Sequence, residues 1–329
     1  PFKSDACHFL LKIVYNTVVT IGDRSYLWGV FLLIASMRKS GMEEPVIVCG
    51  AGCGERESRI LEGLGGVRVV PAPPTARTLA CSKPDAMLLA DTEFVTWVDS
   101  DGFFTGNVSE KLVPLSPGEI HIRMRGEAEN ALAFASHRFG GDGRAIPAEV
   151  LEAWRKDVPG AGEAAPGIPR CCSDCLLSLH RSHRSLLEAW RDQMARVLPS
   201  GNVGVVDRRL PFYHQLDESV LNSLLCFLPG APRVSDEYRL DREPEALFVH
   251  FVCHPKPWVG WTPSSLPKFG RYLDVVDYAV EAGLELPGPL PFSLRRENRA
   301  WCSLLAGPVL YRHKFKRLLR RMKTQGSGR

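Results

Sequence analysis

The segment Phe94 to Gly102 reads FVTWVDSDG. Five apolar or β-branched residues are followed at once by two carboxylates around a serine, then a glycine. The first part is the pattern of a buried strand, the second that of a polar turn. Upstream the same alternation repeats. Phe9 to Thr20 (FLLKIVYNTVVT) reads as a buried strand broken by Gly22-Asp23. Leu27, Val30, Phe31 and Ile34 recur at helical spacing and Gly41 closes that helix. Pro45 to Cys49 is a strand, Glu55 to Leu64 a helix, and Val67 to Val70 a strand. Ser82 to Ala90 is a short helix with Pro84 in its first turn. Strands alternating with helices predict an α/β fold, with a mostly parallel sheet covered on both faces. In such sheets ligands sit at the carboxyl ends of strands, where Asp99, Asp101, Asp23 and Tyr26 all fall.

Downstream the pattern loosens. Gly140 to Pro169, rich in Gly, Pro and Ala, reads as a variable insertion around a helix from Ala148 to Lys156. Cys175 to Leu179 is a strand, Ser185 to Leu198 an amphipathic helix, and Asp217 to Phe227 a helix with an acidic cap. Leu247 to Val252 is a late strand that delivers His250. The 329 residues divide into one large domain, 1–288, and a basic amphipathic tail, 289–329.

Composition narrows the function. The formal net charge of +4 is too mild to indicate nucleic acid. The longest apolar run, Tyr26 to Met37, falls short of the roughly 20 residues that span a bilayer. The 10 cysteines form no regular framework. Cys172 and Cys175 make a CxxC with no partner pair at zinc spacing, so they read as small buried thiols on a strand. Scattered thiols suit a reducing compartment, hence a cytoplasmic location.

Three segments carry chemistry. Asp99 and Asp101, at i and i+2 across a turn, can both face one hard cation, although Asp and Gly also favour turns for their own sake. HFVCHPKPW, from His250 to Trp258, sets an imidazole and an ammonium six residues apart after a strand. His250 can offer a neutral nitrogen to a metal, and Lys256 an ammonium to phosphates. His254 is a second conceivable ligand. In Asp217-Glu218-Ser219-Val220-Leu221-Asn222, capping alone explains Asp217, and an acid facing a substrate is the functional alternative.

Taken in this order, the segments resemble, at a distance, glycosyltransferase family 8. These are retaining enzymes of the GT-A fold that include glycogenin and bacterial lipooligosaccharide galactosyltransferases. Asp23 and Tyr26 match the family's early pair with one extra residue between them. Lys83 stands where the family has a basic donor-binding residue, and WVDSDGFFTGNVSE looks like the stretch around its DxD. Asp217, Leu221 and Asn222 match its D-Q-x-x-L-N helix, and His250, Lys256, Pro257 and Trp258 match its H-x-x-G-x-x-K-P-W at unchanged spacing. Cys253 replaces the family's Gly near the phosphates, and Glu218 replaces its Gln beside the sugar.

The resemblance implies a UDP-sugar donor and a Mn²⁺ or Mg²⁺ ion on Asp99, Asp101 and His250. It also implies donor contacts from Thr20, Asp23, Tyr26, Lys83, Asp99, Ser100 and Lys256, with Asp217 and Glu218 at the sugar. The expected activity is hexosyl transfer with retention, to a carbohydrate, glycolipid or protein acceptor. Retention proceeds through a covalent glycosyl intermediate or by acceptor attack from the leaving-group face, and a carboxylate at 218 makes the first route thinkable. A nucleotide-sugar-binding scaffold would use the same fold without transfer. A nucleotidyltransferase would carry a Gly-rich basic loop after its first strand, where this chain reads IGDRSY. The tail from Leu294 to Lys323 sets Leu304, Leu305, Val309, Leu310, Phe315, Leu318 and Leu319 among Arg and Lys. It suits either a peripheral anchor on the inner face of an anionic membrane or a solvated helix docked on the body.

Overall fold

The computed structural model describes residues 16–326 except 136–138, 140, 203, 205, 237–239 and 241–245, with side chains in the last helix described through Lys316 and at Leu319. Of the first expected strand, residues 9–15 and Gly140 of the expected insertion lie outside the described residues.

The elements run β1 (Asn16–Asp23), α1 (Leu27–Lys39), β2 (Val46–Ala51), α2 (Glu55–Glu62), β3 (Val67–Pro71), α3 (Lys83–Met87), β4 (Phe94–Val98) and β5 (Gly102–Phe104). Then come α4 (Ser109–Leu112), β6 (Glu119–Met124), α5 (Glu127–Ala135), α6 (Ala148–Asp157), β7 (Cys172–His180) and α7 (Arg184–Val197). The chain closes with α8 (Asp217–Phe227), β8 (Arg233–Ser235), β9 (Phe248–His250), α9 (Phe269–Glu281) and α10 (Arg299–Gly326).

Seven strands form the central sheet in the order β3-β2-β1-β4-β7-β6-β8. The β3-β2-β1-β4 half is parallel, whereas β7 runs antiparallel to both β4 and β6. The period-2 alternation of β1 divides the core. Val18 joins the cluster with Phe31, Leu33, Phe103, Trp261 and Tyr272, and Val19 joins the opposite cluster with Trp97, Leu177, Trp190 and Leu224. Each such side chain contributes about 1.5–3 kcal/mol of burial, so both faces are firmly covered. Helix α1 is buried from Val30 to Met37 and lies between the sheet and α9, which explains its nearly continuous apolar run.

Two sequence expectations are corrected. The first strand does not break at Gly22-Asp23. It stays in register with β2 through Gly22↔Gly50 and Asp23↔Ala51, because a Gly flanked by paired neighbours keeps the ladder. The late strand is three residues long and lies outside the central sheet. It pairs with β5 as a separate antiparallel ribbon, with Gly102 opposite His250. Gly102 is required there, since a Cβ would lie 2.3 Å from the Phe248 ring.

Candidate metal and donor site

The β5–β9 register builds the site. Pairing Gly102 with His250 brings the imidazole beside the turn that follows β4. His250 Nε2 lies 3.0 Å from Asp101 Oδ1 and 3.7 Å from Asp99 Oδ2. One ligand atom from each of Asp99, Asp101 and His250 falls within 4.8 Å of the others. The turn is anchored by backbone bonds on both sides, Asp99 N–H to Cys175 O at 2.8 Å and Phe251 N–H to Asp101 O at 2.9 Å.

Asp99 presents its oxygens unequally. Oδ1 accepts from the Trp97 indole at 2.8 Å and faces Lys83 Nζ at 3.3 Å. Oδ2 is left toward the imidazole. Asp101 Oδ2 lies 2.7 Å from Lys256 Nζ, and that ammonium also donates to the Phe251 carbonyl. Burial alone would raise the Asp101 carboxyl, yet His250 and Lys256 hold it well below its ordinary range. Burial would lower His250, but Asp101 raises it well above. Asp99 is raised by burial, with Lys83 opposing and Asp101 adding to the effect.

Lys83 is 4% exposed at the start of α3, and a buried ammonium requires anionic partners. It has three: Asp174 at 2.9 Å, Asp217 at 3.2 Å and Asp99 at 3.3 Å. Burial would lower its pKa, and these acids raise it well above the ordinary value. Around Asp99 and Asp101, five carboxylates (Asp99, Asp101, Asp174, Asp217, Glu218) face three fixed cations (Lys83, Arg125, Lys256) and one imidazole. Asp99, Asp101 and His250 form the candidate ligand corner of this cluster. Its two oxygens and one nitrogen suit a hard or borderline divalent ion such as Mn²⁺.

Asp23 caps the turn after β1. Its Oδ1 accepts from Ser25 N–H at 2.8 Å, Ser25 Oγ at 2.6 Å and Tyr26 N–H at 3.2 Å. Tyr26 meets Trp258 edge-on at 5.5 Å, and the Trp258 indole donates to Ser25 O at 2.9 Å. The end of β1 and the end of HFVCHPKPW are therefore one corner. Burial, then Asp101 and Asp99, keep the Tyr26 hydroxyl protonated.

Asp99, Asp101, His250, Lys256, Lys83 and Asp217 are thus one connected group, flanked by Asp23 and Tyr26. Ser100, 7% exposed, sits in the turn between the aspartates. Thr20 is wholly buried inside β1, its hydroxyl without a partner. Glu218 joins through the Asp174 backbone, whose N–H reaches Oε2 at 3.4 Å, and is paired with Arg125. His254 stands apart from the metal group and stacks on His313 of α10 at 5.6 Å. Cys171, Cys172 and Cys175 are buried at and within β7, as small thiols on a strand should be.

Three partners were not legible: Asp174, Arg125 and Trp97. Asp174 stands inside CCSDC, where the cysteines draw attention from the acid that alternates with them. Arg125 directly follows a strand, β6, whose EIHIRM pattern gives only a weak signal.

No protein-family model and no curated protein matches the chain. Solved structures do. It is similar to a WbbM bifunctional glycosyltransferase in its apo form, with a TM-score of 0.52 and 13% identity over 86% of this chain and 51% of that one. It is similar to the glycosyltransferase GlyE of Streptococcus pneumoniae TIGR4, with a TM-score of 0.50 and 12% identity over 83% of this chain and 65% of that one. The chain therefore spans about half the length of the first and under two thirds of the second. Identities this low speak to architecture, and the architecture is the GT-A fold of these glycosyltransferases.

Proposed function

We propose that the chain is a metal-dependent hexosyltransferase of the family 8 type, which moves a sugar from a UDP-sugar to an acceptor hydroxyl with retention of configuration. The observation that carries this reading is the convergence of Asp99, Asp101 and His250 to within 4.8 Å at the carboxyl end of the parallel half-sheet. These residues would hold Mn²⁺ or Mg²⁺, which when bound supplies Lewis-acid stabilisation of the departing diphosphate.

The chain's own residues do the rest. Tyr26 and Asp23 form the corner for the nucleoside. Lys256 Nζ lies 2.7 Å from Asp101 Oδ2, so its ammonium stands beside the candidate ligands and would meet a diphosphate oxygen of the donor. Lys83 locks Asp99 and Asp217 in place, leaving Asp99 Oδ2 for the metal and Asp217 on the sugar side. Fixed charges aimed at the leaving group are the larger part of such catalysis. Ser100 and Thr20 complete the donor-binding set by resemblance, Thr20 from inside the strand.

A membrane-borne acceptor fits helix α10. Its inner face, Cys302 and Ala306, is buried on the body, and Val309 lies against Gly260. Its outer face carries Trp301, Leu304, Tyr311, Phe315 and Leu319 at helical spacing, all exposed, among Arg312, Lys314 and Lys316. No helix among the described residues is long and apolar enough to cross a membrane. The helix would lie on an anionic surface instead.

A thermal-shift screen of nucleotide-sugars with and without Mn²⁺ tests the reading. A donor that binds should raise Tm by mass action only when the ion is present, and Asp101→Asn should abolish both that shift and transfer. Metal-independent transfer, or full transfer by Asp101→Asn, would refute it.

A further inference from the structure

Glu218 stands where the resemblance has an amide, and the geometry explains how a carboxylate is accommodated. Arg125, just after β6, is 9% exposed. One of its terminal nitrogens donates to Glu218 Oε1 and the other to Gln215 Oε1 at 2.9 Å. Glu218 Oε2 faces the backbone N–H of Asp174 at 3.4 Å, and its backbone carbonyl accepts from Asn222 at 2.8 Å. Both side chains are near nine-tenths buried, at 11% and 12% exposure. A planar guanidinium that grips two acceptors fixes their orientation in a way an ammonium cannot.

We infer that Arg125 is a positioning residue, which neutralises Glu218 and holds it as a fixed hydrogen-bond acceptor for the transferred sugar rather than as a covalent nucleophile. A nucleophilic carboxylate needs an oxygen free to approach the anomeric carbon. Here Oε1 is committed to Arg125 and Oε2 is directed to the Asp174 amide. The remaining lone pairs can accept sugar hydroxyls, as an amide carbonyl would. The charged groups around Glu218 are Arg125 just after β6, Asp174 from β7 and Lys83 from α3. Arg125 opposes the effect of burial, and its removal leaves an unpaired carboxylate next to the donor.

This inference rests on the proposed function, and the test separates the two. Wild type, Arg125→Gln, Glu218→Gln and the Arg125→Gln/Glu218→Gln double variant are assayed for donor turnover with Mn²⁺, alongside Tm. Breaking one side of a buried pair should lower kcat at least about tenfold in each single variant. The donor KM should stay within about threefold, because neither Lys256 nor the Asp23–Tyr26 corner is bonded to this pair. The double variant removes both charges together and should regain turnover to within about threefold of wild type. Additive losses in the double variant, or a glycosylated peptide containing Glu218 in mass spectra of the wild type, would overturn the positioning role. A wild type that turns over no nucleotide-sugar would overturn the functional reading, and this inference with it. Tm that recovers in the double variant without turnover would show a merely structural pair and also refute it.

Discussion

His250 Nε2 lies 3.0 Å from Asp101 Oδ1, although 149 residues separate them in sequence. The β5–β9 pairing makes this contact, since Gly102 and His250 are register partners. It ties the late histidine to the early acidic turn, so ion binding and the charge state of the ring are linked.

That linkage fixes the pH dependence. Asp101 raises His250 well above its usual value against the effect of burial. The metal-free ion pair therefore contributes stability that is fully present below about pH 6.5, the unfolded value, and is lost as pH rises through the folded value. A metal needs the ring unprotonated, so Mn²⁺ competes with that proton. The Tm difference between wild type and His250→Gln should shrink with rising pH without metal. With Mn²⁺ it should grow over the same range. Melting curves in matched buffers read both, and parallel pH curves for the two conditions would contradict the linkage.

Gly29 in α1 touches the acidic turn. A Cβ there would lie 2.5 Å from Ser100 O and 2.5 Å from the Trp258 ring. Gly→Ala inside a helix ordinarily gains about 1 kcal/mol. Overpacking typically costs about 1–3 kcal/mol, and one of the two opposing atoms is backbone, which yields little. Gly29→Ala should therefore destabilise, by up to about 2 kcal/mol net. Because the turn must shift, Mn²⁺ affinity should fall as well. Urea unfolding and calorimetry read the two effects, and a stabilised variant with normal metal affinity would count against the packing.

Cysteine labelling reports on the phosphate loop. Burial pushes the Cys49, Cys81 and Cys226 thiols up to about 12, so at pH 8 about one in ten thousand is thiolate. Cys253 is exposed, three residues before Lys256. Among the cysteines of the described residues, iodoacetamide should modify Cys253 first in the native protein, and Mn²⁺ with UDP should slow that reaction severalfold. Peptide mass spectrometry follows the sites. Labelling of Cys253 indifferent to UDP would place the diphosphate elsewhere.

The outer face of α10 predicts binding to anionic vesicles. Trp301, Leu304 and Phe315 are 58%, 68% and 60% exposed, more apolar surface than a solvated helix needs. The chain should float with phosphatidylglycerol vesicles but not with phosphatidylcholine alone, and less so in high salt. Trp301→Ser/Leu304→Ser/Phe315→Ser should abolish flotation and leave Tm unchanged, since the buried face is Cys302 and Ala306. Flotation that persists in the triple variant would rule out this face.

Much of this was legible where local pattern and tertiary role agree. FVTWV and DESVLNSLLCF form β4 and α8 over the residues that periodicity marks. The acidic turn, His250 and Lys256 were legible as candidates because their chemistry is concentrated in short segments, and Lys83 only through the family resemblance. The late strand was legible over Leu247 to Val252, but β5 and its pairing with β9 escaped because a three-residue strand has too few residues to show a period. Arg125 escaped because its meaning lies in Glu218, 93 residues away. Helix α9 escaped, although its apolar face packs on α1, because Pro267 and Gly270 near its start mask the pattern.

The central claim is that one divalent ion joins the mid-chain aspartates to the late histidine. Anomalous diffraction from crystals grown with Mn²⁺ and UDP tests it most directly. The account predicts a single strong manganese peak within bonding distance of Asp99, Asp101 and His250, with diphosphate oxygens completing the shell. Manganese bound elsewhere, or a UDP complex in which His250 keeps Asp101 to itself with no ion between them, would contradict it.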